Sequence, residues 1–350
     1  MKIDVLAAGN QYGTGLHFAR GLADALERMG VSTRLFWVDE GHFFHALHAI
    51  VDEPPDMTCS FADISLNKKP LGDLWQIPHL SWLIDPPIYF LHQLQGSYSY
   101  AACVDAEDLA FITGLGFSRG HFLPHAADIC HLTAVKRDRP YEKVFFGTCV
   151  DYEAIATHWP KEIRELLLAA SAQVLLPDGM TVLQALRELG VSSENLPYYH
   201  GEVDRYTRGK DRVELIRSLK DPVHIWGEGP WEKYLPGYPI HPAVTFDQAL
   251  NIMKQSQVVL NSTPRFKAGA HERIFYALLC GAAVHTGENR YLTQELPELF
   301  TYRFGEWEAP SFENWKEVAS ACQERVIASH TWDARATFLL QILHLVLDTP

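Results

Sequence analysis

The 350-residue sequence has no uninterrupted apolar run approaching the roughly eighteen residues of a membrane span, which excludes a membrane-spanning helix. The apolar run near the start, residues 3–8, is too short for a signal peptide, and a helix pattern follows it at once, so the expected location is cytoplasmic. Cysteine pairs are missing too: Cys59, Cys103, Cys130, Cys149, Cys280 and Cys322 lie far apart, with no CxxC spacing, and read as buried thiols in a reducing compartment. There is no excess of positive charge. With 30 Lys and Arg against 43 Asp and Glu, the formal charge is -13, so no long-range field draws nucleic acid or anionic lipid, and any anion must be held by a local cationic pocket. Short-period repeats and low-complexity tracts are absent as well.

What is present is an alternation of apolar runs of strand length with helical patterns. Residues 3–8 form a strand closed by the turn-rich "GNQYGTG", after which Phe18, Leu22, Ala25, Leu26 and Met29 recur at helical spacing and Gly30 ends the helix. The strands "STRLFWV", "HLSWLI", "SYAACV" and "HFLPH" follow, with the helix-like "IYFLHQLQ" and "AEDLAFI" between them. This order implies parallel βα units. The charged, proline-containing residues 134–143 mark a boundary, beyond which helices over 161–176, 211–219 and 246–256 alternate with the strands "VFFGT", "VHIWG", "VVL" and "AAVHT". The expected division is 1–138 and 139–330, two Rossmann-like α/β domains facing each other across a cleft. Residues 331–350 are expected to form a C-terminal helix crossing back to the first domain. In such sheets ligands bind at the carboxyl ends of the strands.

Several loops at those ends carry chemistry. The first places Gly9, Gly13 and Gly15 before His17; its glycines do not match the dinucleotide fingerprint, which leaves a nicotinamide cofactor without support. His17 has two readings, a general base for an attacking hydroxyl or a histidine bonded to its own helix turn. Asp85, at the end of "WLIDPP", either orients an imidazole or sugar hydroxyl or caps a helix starting near Ile88. His125 in "FLPHAAD" is of the kind more often structural. Gly147 and Thr148, and Gly227 and Gly229, follow strands; they suit either close approach to a phosphate or plain tight turns. Trp226 and Trp231 offer rings for a base or sugar, or fill the core.

Residues 261–287, "NSTPRFKAGAHERIFYALLCGAAVHTG", concentrate Arg265, Lys267, His271, Glu272 and Arg273 where a helix begins. Its free N–H groups and positive dipole end make an anion site that arginine can complete bidentately. Glu272 suits sugar or ribose hydroxyls. The alternative is a solvated charged loop in which Glu272 pairs with Arg273 or Lys267.

From "HLSWLIDPPIYF" through "CVDAEDLAFI", "FLPHAAD", "VFFGT" and the 261–287 stretch to "HTWDARATFLLQIL", the order of segments resembles the CgeB-like (spore maturation protein type) group of GT-B glycosyltransferases. That resemblance implies a nucleotide-sugar donor held mainly by the second domain, an acceptor held by the first, and no metal or cofactor. By the same resemblance Arg265, Gly269, His271, Glu272, Arg273 and Gly281 lie at the donor site. The residues singled out with them for the donor are Gly15, Lys267, Gly147, Thr148, Trp226 and Gly227. "GTGLH" is similar to the glycine-rich loop of inverting GT-B enzymes, so His17 and Asp85 are the catalytic candidates. One departure stands out: where retaining members carry two glutamates eight residues apart, this sequence has Ala268 and Tyr276. The expected function is transfer of a sugar to a hydroxyl of a glycan or a protein such as flagellin. A nucleotide-sugar epimerase and a non-catalytic nucleotide- or glycan-binding protein are the alternatives.

Overall fold

The structure is a computed structural model describing residues 1–9, 13–38, 43–61, 64–65, 68–136, 138–219, 221–308 and 310–347. The chain divides into two compact units, residues 1–130 with 327–350, and residues 131–326.

In unit 1 the chain runs β1 (Lys2–Ala8), α1 (Thr14–Arg28), β2 (Ser32–Val38), α2 (Phe43–Asp52), β3 (Met57–Phe61), α3 (Leu71–Trp75), β4 (His79–Leu83), β5 (Ser99–Cys103), α4 (Ala106–Gly114) and β6 (Gly120–Phe122). All six strands are parallel, in the order β2-β1-β3-β4-β5-β6. Strands β3 and β4 are buried at every position, as expected of central parallel strands covered on both faces. The polar members of those strands pair with one another: His79 sits between Thr58 Oγ1 at 2.7 Å and Ser60 Oγ at 3.1 Å, and burial lowers its pKa to about 3, so it is a neutral crosslink. The segment "IYFLHQLQ" is not one helix but two 3-10 turns, Pro87–Tyr89 and Leu91–Gln95, set off by the Pro86-Pro87 pair.

Unit 2 contains β7 (Tyr141–Phe146), α5 (Tyr152–His158), α6 (Lys161–Val174), α7 (Val182–Glu188), α8 (Leu196–Ser218), β8 (His224–Trp226), α9 (Trp231–Tyr234), β9 (Ile240–His241), α10 (Phe246–Met253), β10 (Ser256–Asn261), α11 (Glu272–Leu279), β11 (Ala283–Gly287), α12 (Arg290–Glu295), β12 (Phe300–Tyr302) and most of α13 (Trp315–Ser329). Its sheet is again six-stranded and parallel, ordered β12-β11-β10-β7-β8-β9. From β7 the chain winds outward through β8 and β9, then returns to the other side of β7 with β10. The reversal places a topological switch point between the carboxyl ends of β7 and β10.

The last helix, α14 (Trp332–Leu347), packs within unit 1. Gly21 makes room for it: a Cβ there would lie 2.3 Å from Trp332 Cδ1. The Trp332 ring enters a cluster with Phe18, Phe61 and Trp82 at centroid distances of 5.8, 5.6 and 5.6 Å. Arg28 grips Asp333 with two hydrogen bonds of 2.8 and 2.9 Å, and buried Arg335 donates to the carbonyls of Pro124, His125 and Ser329. Burial of the large aromatic rings is the main driving force here.

Candidate functional site

At the switch point of unit 2, the loops after β7 and β8 lie against each other. Gly147 N–H donates to the Trp226 carbonyl at 3.0 Å, and Cys149 N–H to that of Glu228 at 2.7 Å. A Cβ on Gly227 would fall 1.8 Å from the Gly147 oxygen, and one on Gly229 2.2 Å from the Cys149 oxygen. These glycines therefore serve chain-to-chain approach; the close approach to a ligand expected of Gly227 is taken by the β7 loop. Trp226 is also committed. In register with Phe146 on one side and His241 on the other, it stacks on both at 5.6 and 4.4 Å, which covers both ring faces and leaves none for a base. Trp231 is buried against Phe145 at 5.6 Å.

On the other side of the switch point, Asn261 ends β10 fully buried, its amide donating to Thr263 Oγ1 and Thr286 Oγ1. Residues 263–271 form the connecting loop, pinned where the Asn289 amide donates to the carbonyls of Phe266 and Gly269. As expected, α11 then begins at Glu272, with His271 as its cap. His271 Nδ1 lies 2.9 Å from Glu272 Oε2 and 3.3 Å from the Arg273 N–H. Nδ1 accepts from the Arg273 N–H, which is how the ring caps the helix. Burial lowers the His271 pKa, opposed by Glu272, so the ring is neutral. Arg273 donates to Asn261 Oδ1 at 3.4 Å, and half-buried Arg265 lies over the Phe266 ring. Lys267 gives its ammonium to the Val174 carbonyl at 2.8 Å, closing the last turn of α6, and lies over the Phe304 ring. Gly281 falls elsewhere: it follows the far end of α11, about 12 Å from its start, and its missing Cβ admits Arg139 at 2.6 Å.

The larger surprise is α8. Sequence periodicity places a helix near 211–219, yet α8 has 23 residues, and its earlier turns carry His200, Asp204, Arg208 and Arg212 at i, i+4 spacing on one ridge. Arg212 is only 9% exposed and donates Nη1 to the Thr148 carbonyl at 2.7 Å; its Nε is buried without a partner. Burial, then repulsion by Arg208 and Arg273, pulls its pKa down to about 9, so it stays charged at neutral pH. Arg208 pairs with Asp204 at 3.0 Å, and its Nε is likewise buried and unpartnered. Burial pushes the Asp204 carboxyl up, but Arg208, Arg265, His200 and Arg212 outweigh it and hold it below the ordinary value. His200 drops to about 4, chiefly by burial. Asp211 faces the other way, fully buried, and accepts from Ser262 Oγ, Tyr302 OH and Trp307 Nε1 at 2.7 to 3.0 Å, which fixes the end of β10.

Four guanidinium groups, Arg208, Arg212, Arg265 and Arg273, are thus electrostatically linked at the switch point together with the N-terminus of α11. Like charges held in a low-dielectric setting with buried, unpartnered donors are suited to a multiply charged anion. A pocket of about 550 Å³ in unit 2, lined by Lys143, Asp221, Gln257 and Trp315 among others, opens at the opposite edge, where β7 and β10 begin.

In unit 1, His17 is half-buried in the first turn of α1, behind Gly13 in the left-handed conformation at φ 77°. Buried Gly15 precedes it; residues 10–12 of that loop lie outside the described set. Asp85 follows β4 and is exposed. The 3-10 turn that follows, Pro87–Tyr89, has Pro86 at its cap position. Both residues lie on the carboxyl edge of the sheet, with β3 between their strands. His125 is buried beside Phe18 at 5.6 Å, in the cluster that seats α14.

Residues 208–341 match the family described as glycosyl transferase-like, a segment that begins on α8 at Arg208 and spans Arg212, the 263–271 loop and α11. No curated protein matches the chain. Solved structures of similar fold include AviGT4, a glycosyltransferase involved in avilamycin A biosynthesis, at 10% identity and TM-score 0.59 over 100% of this chain and 98% of that one. Sucrose-phosphate synthase from Thermosynechococcus elongatus matches at 11% and 0.54 over 100% of both chains. An α-glucosyltransferase in complex with UDP and a 13-mer DNA containing an HMU base matches at 11% and 0.54 over 98% and 99%. The fold is therefore GT-B, two parallel six-stranded α/β units; the glycosyl transferase-like segment covers the later part of unit 2 and runs on into α14 of unit 1.

Proposed function

We propose that the protein is a GT-B glycosyltransferase of the CgeB-like kind. It transfers a sugar from a nucleoside diphosphate sugar to a hydroxyl acceptor without needing a metal ion. The observation that carries this reading is the convergence of Arg208, Arg212, Arg265 and Arg273 on the switch point of unit 2, inside the glycosyl transferase-like segment. As the bond between the anomeric carbon and the β-phosphate oxygen breaks, negative charge moves onto the diphosphate. The guanidinium groups and the N–H groups of α11 stabilise that charge in the role a divalent cation fills elsewhere. Neutral His271 and Glu272 supply hydrogen-bonding groups for ribose or sugar hydroxyls, in place of the two absent glutamates. In unit 1, His17 takes the proton of the attacking hydroxyl and Asp85 orients it, giving inversion at the anomeric carbon.

The acceptor in this reading is a glycan or a protein and not a nucleic acid. Residues 84–87, 104–105 and 123–128, which follow β4, β5 and β6, contain Asp85, Asp105 and Asp128 and no lysine or arginine. A polyanion needs its phosphates neutralised, and these three loops supply no cation for that. The test is incubation with a panel of nucleoside diphosphate sugars with and without candidate acceptors. Sugar transfer supports the reading; a new sugar isomer formed without acceptor assigns an epimerase, and donor binding without turnover assigns a non-catalytic protein.

A further inference from the structure

We infer that Asp204 sets the net charge of the arginine cluster and thereby makes it prefer a sugar-capped diphosphate to the free nucleoside diphosphate that transfer leaves behind; this rests on the donor-site reading above. The four arginines of the cluster face two carboxylates, Asp204 and Glu272. Asp211 also acts on Arg212, but its carboxylate is bound by three hydroxyl and indole donors, and the field of Lys267 offsets its charge. The balance is two positive charges, equal to the two ionised phosphates of a sugar diphosphate. A free nucleoside diphosphate has a terminal phosphate that ionises a second time with a pKa of about 6, so it carries a third charge at neutral pH.

The placement of Asp204 supports a role in tuning this balance. Its carboxylate is 14% exposed and touches Arg208 Nη2 at 3.0 Å, while Arg208 Nε and Arg212 Nε remain buried without partners. The acid therefore holds one arm of Arg208, and the buried Nε donors of both arginines keep no protein partner. Without it the site would carry three positive charges, match the product better than the substrate, and hold the product. Asp204 is thus a specificity-determining residue whose function is to let the product go.

Isothermal titration with UDP, GDP and ADP, and with the corresponding sugar diphosphates, tests the inference on Asp204→Asn, which keeps the size and an acceptor for Arg208. One unit charge removed at this range predicts about tenfold tighter binding of the free diphosphate. The gain for the sugar diphosphate should be smaller, with a lower product-inhibition constant. Equal or weaker binding of free diphosphate by Asp204→Asn overturns the inference and leaves the donor site standing. If the wild-type chain binds no nucleoside diphosphate, the donor-site reading itself fails. Asp204→Ser, read by the same criterion, replaces the first variant if its melting curve shows that it does not fold.

Discussion

The two units share one architecture and differ in what their sheets present at the carboxyl edge. Both are parallel, six-stranded and doubly wound, with a switch point beside their first strand. At that edge unit 2 gathers arginines from α8, the 263–271 loop and α11. Unit 1 has carboxylates after β4, β5 and β6 and a single histidine at the start of α1. The fold fixes where a ligand can sit, and the side chains fix its charge: topology alone would assign the same ligand to both halves. In the proposed reading the side chains send the anion to unit 2 and the neutral hydroxyl compound to unit 1.

Breaking the cationic edge should give the largest effect. Arg212→Ala removes a buried charge-assisted donor, and a loss of about 2–3 kcal/mol, or roughly a hundredfold in nucleoside diphosphate affinity by calorimetry, is expected. Breaking the other edge should change a different quantity: His17→Ala should lower kcat by about a hundredfold or more through loss of general-base catalysis, with donor affinity unchanged. The contrast between the two variants, binding lost in one and turnover in the other, is the sharpest form of the comparison. A structural variant comes next. Gly21→Ala in unit 1 forces a methyl into the Trp332 ring and should cost about 1–3 kcal/mol in chemical denaturation, without altering affinity for the anion. Trp226→Phe should have the smallest effect on binding, within about twofold, because both faces of its ring are already covered.

A pH titration of stability cuts across both units. The pKa values of His79 and His200 are lowered to about 3 and about 4 by burial. Unfolded histidines bind protons from about pH 6.5 downward, so between there and pH 4 the unfolded state takes up protons that the folded state refuses. Stability from this source is complete above that window and is lost as the pH falls through it. Thermal melts should decline over the same range, and His79→Gln should flatten the decline.

Most of the fold could be read from the sequence, and so could part of the candidate site's position in it. The strands announced themselves as apolar runs closed by turn residues, and the loop that leads to α11 by its crowd of charges. The start of α11 at Glu272 and the assembly of α14 into unit 1 follow from the same local patterns. What escaped was α8. Its residues 196–210, "LPYYHGEVDRYTRGK", are polar and aromatic with little apolar periodicity, and of the residues they bury only Leu196 and Val203 are aliphatic. A hydrophobic pattern does not reveal a helix in which His200, Asp204, Arg208 and Arg212 share one ridge, the first and last of them buried; their i, i+4 spacing was the signal available. The glycines and Trp226 stayed ambiguous for the opposite reason. After a strand, a glycine that admits another loop and one that admits a phosphate look alike in sequence, and only the 1.8 Å approach at Gly227 separates them.

The central claim is that the arginine cluster of unit 2 holds the diphosphate of a sugar donor, and calorimetry of nucleoside diphosphates against the wild-type chain and Arg273→Ala tests it most directly. The account predicts saturable binding to the wild type, lost in a variant whose unliganded melting temperature is unchanged. Equal binding by both would contradict it and return the 263–271 loop to the status of a solvated, charged surface.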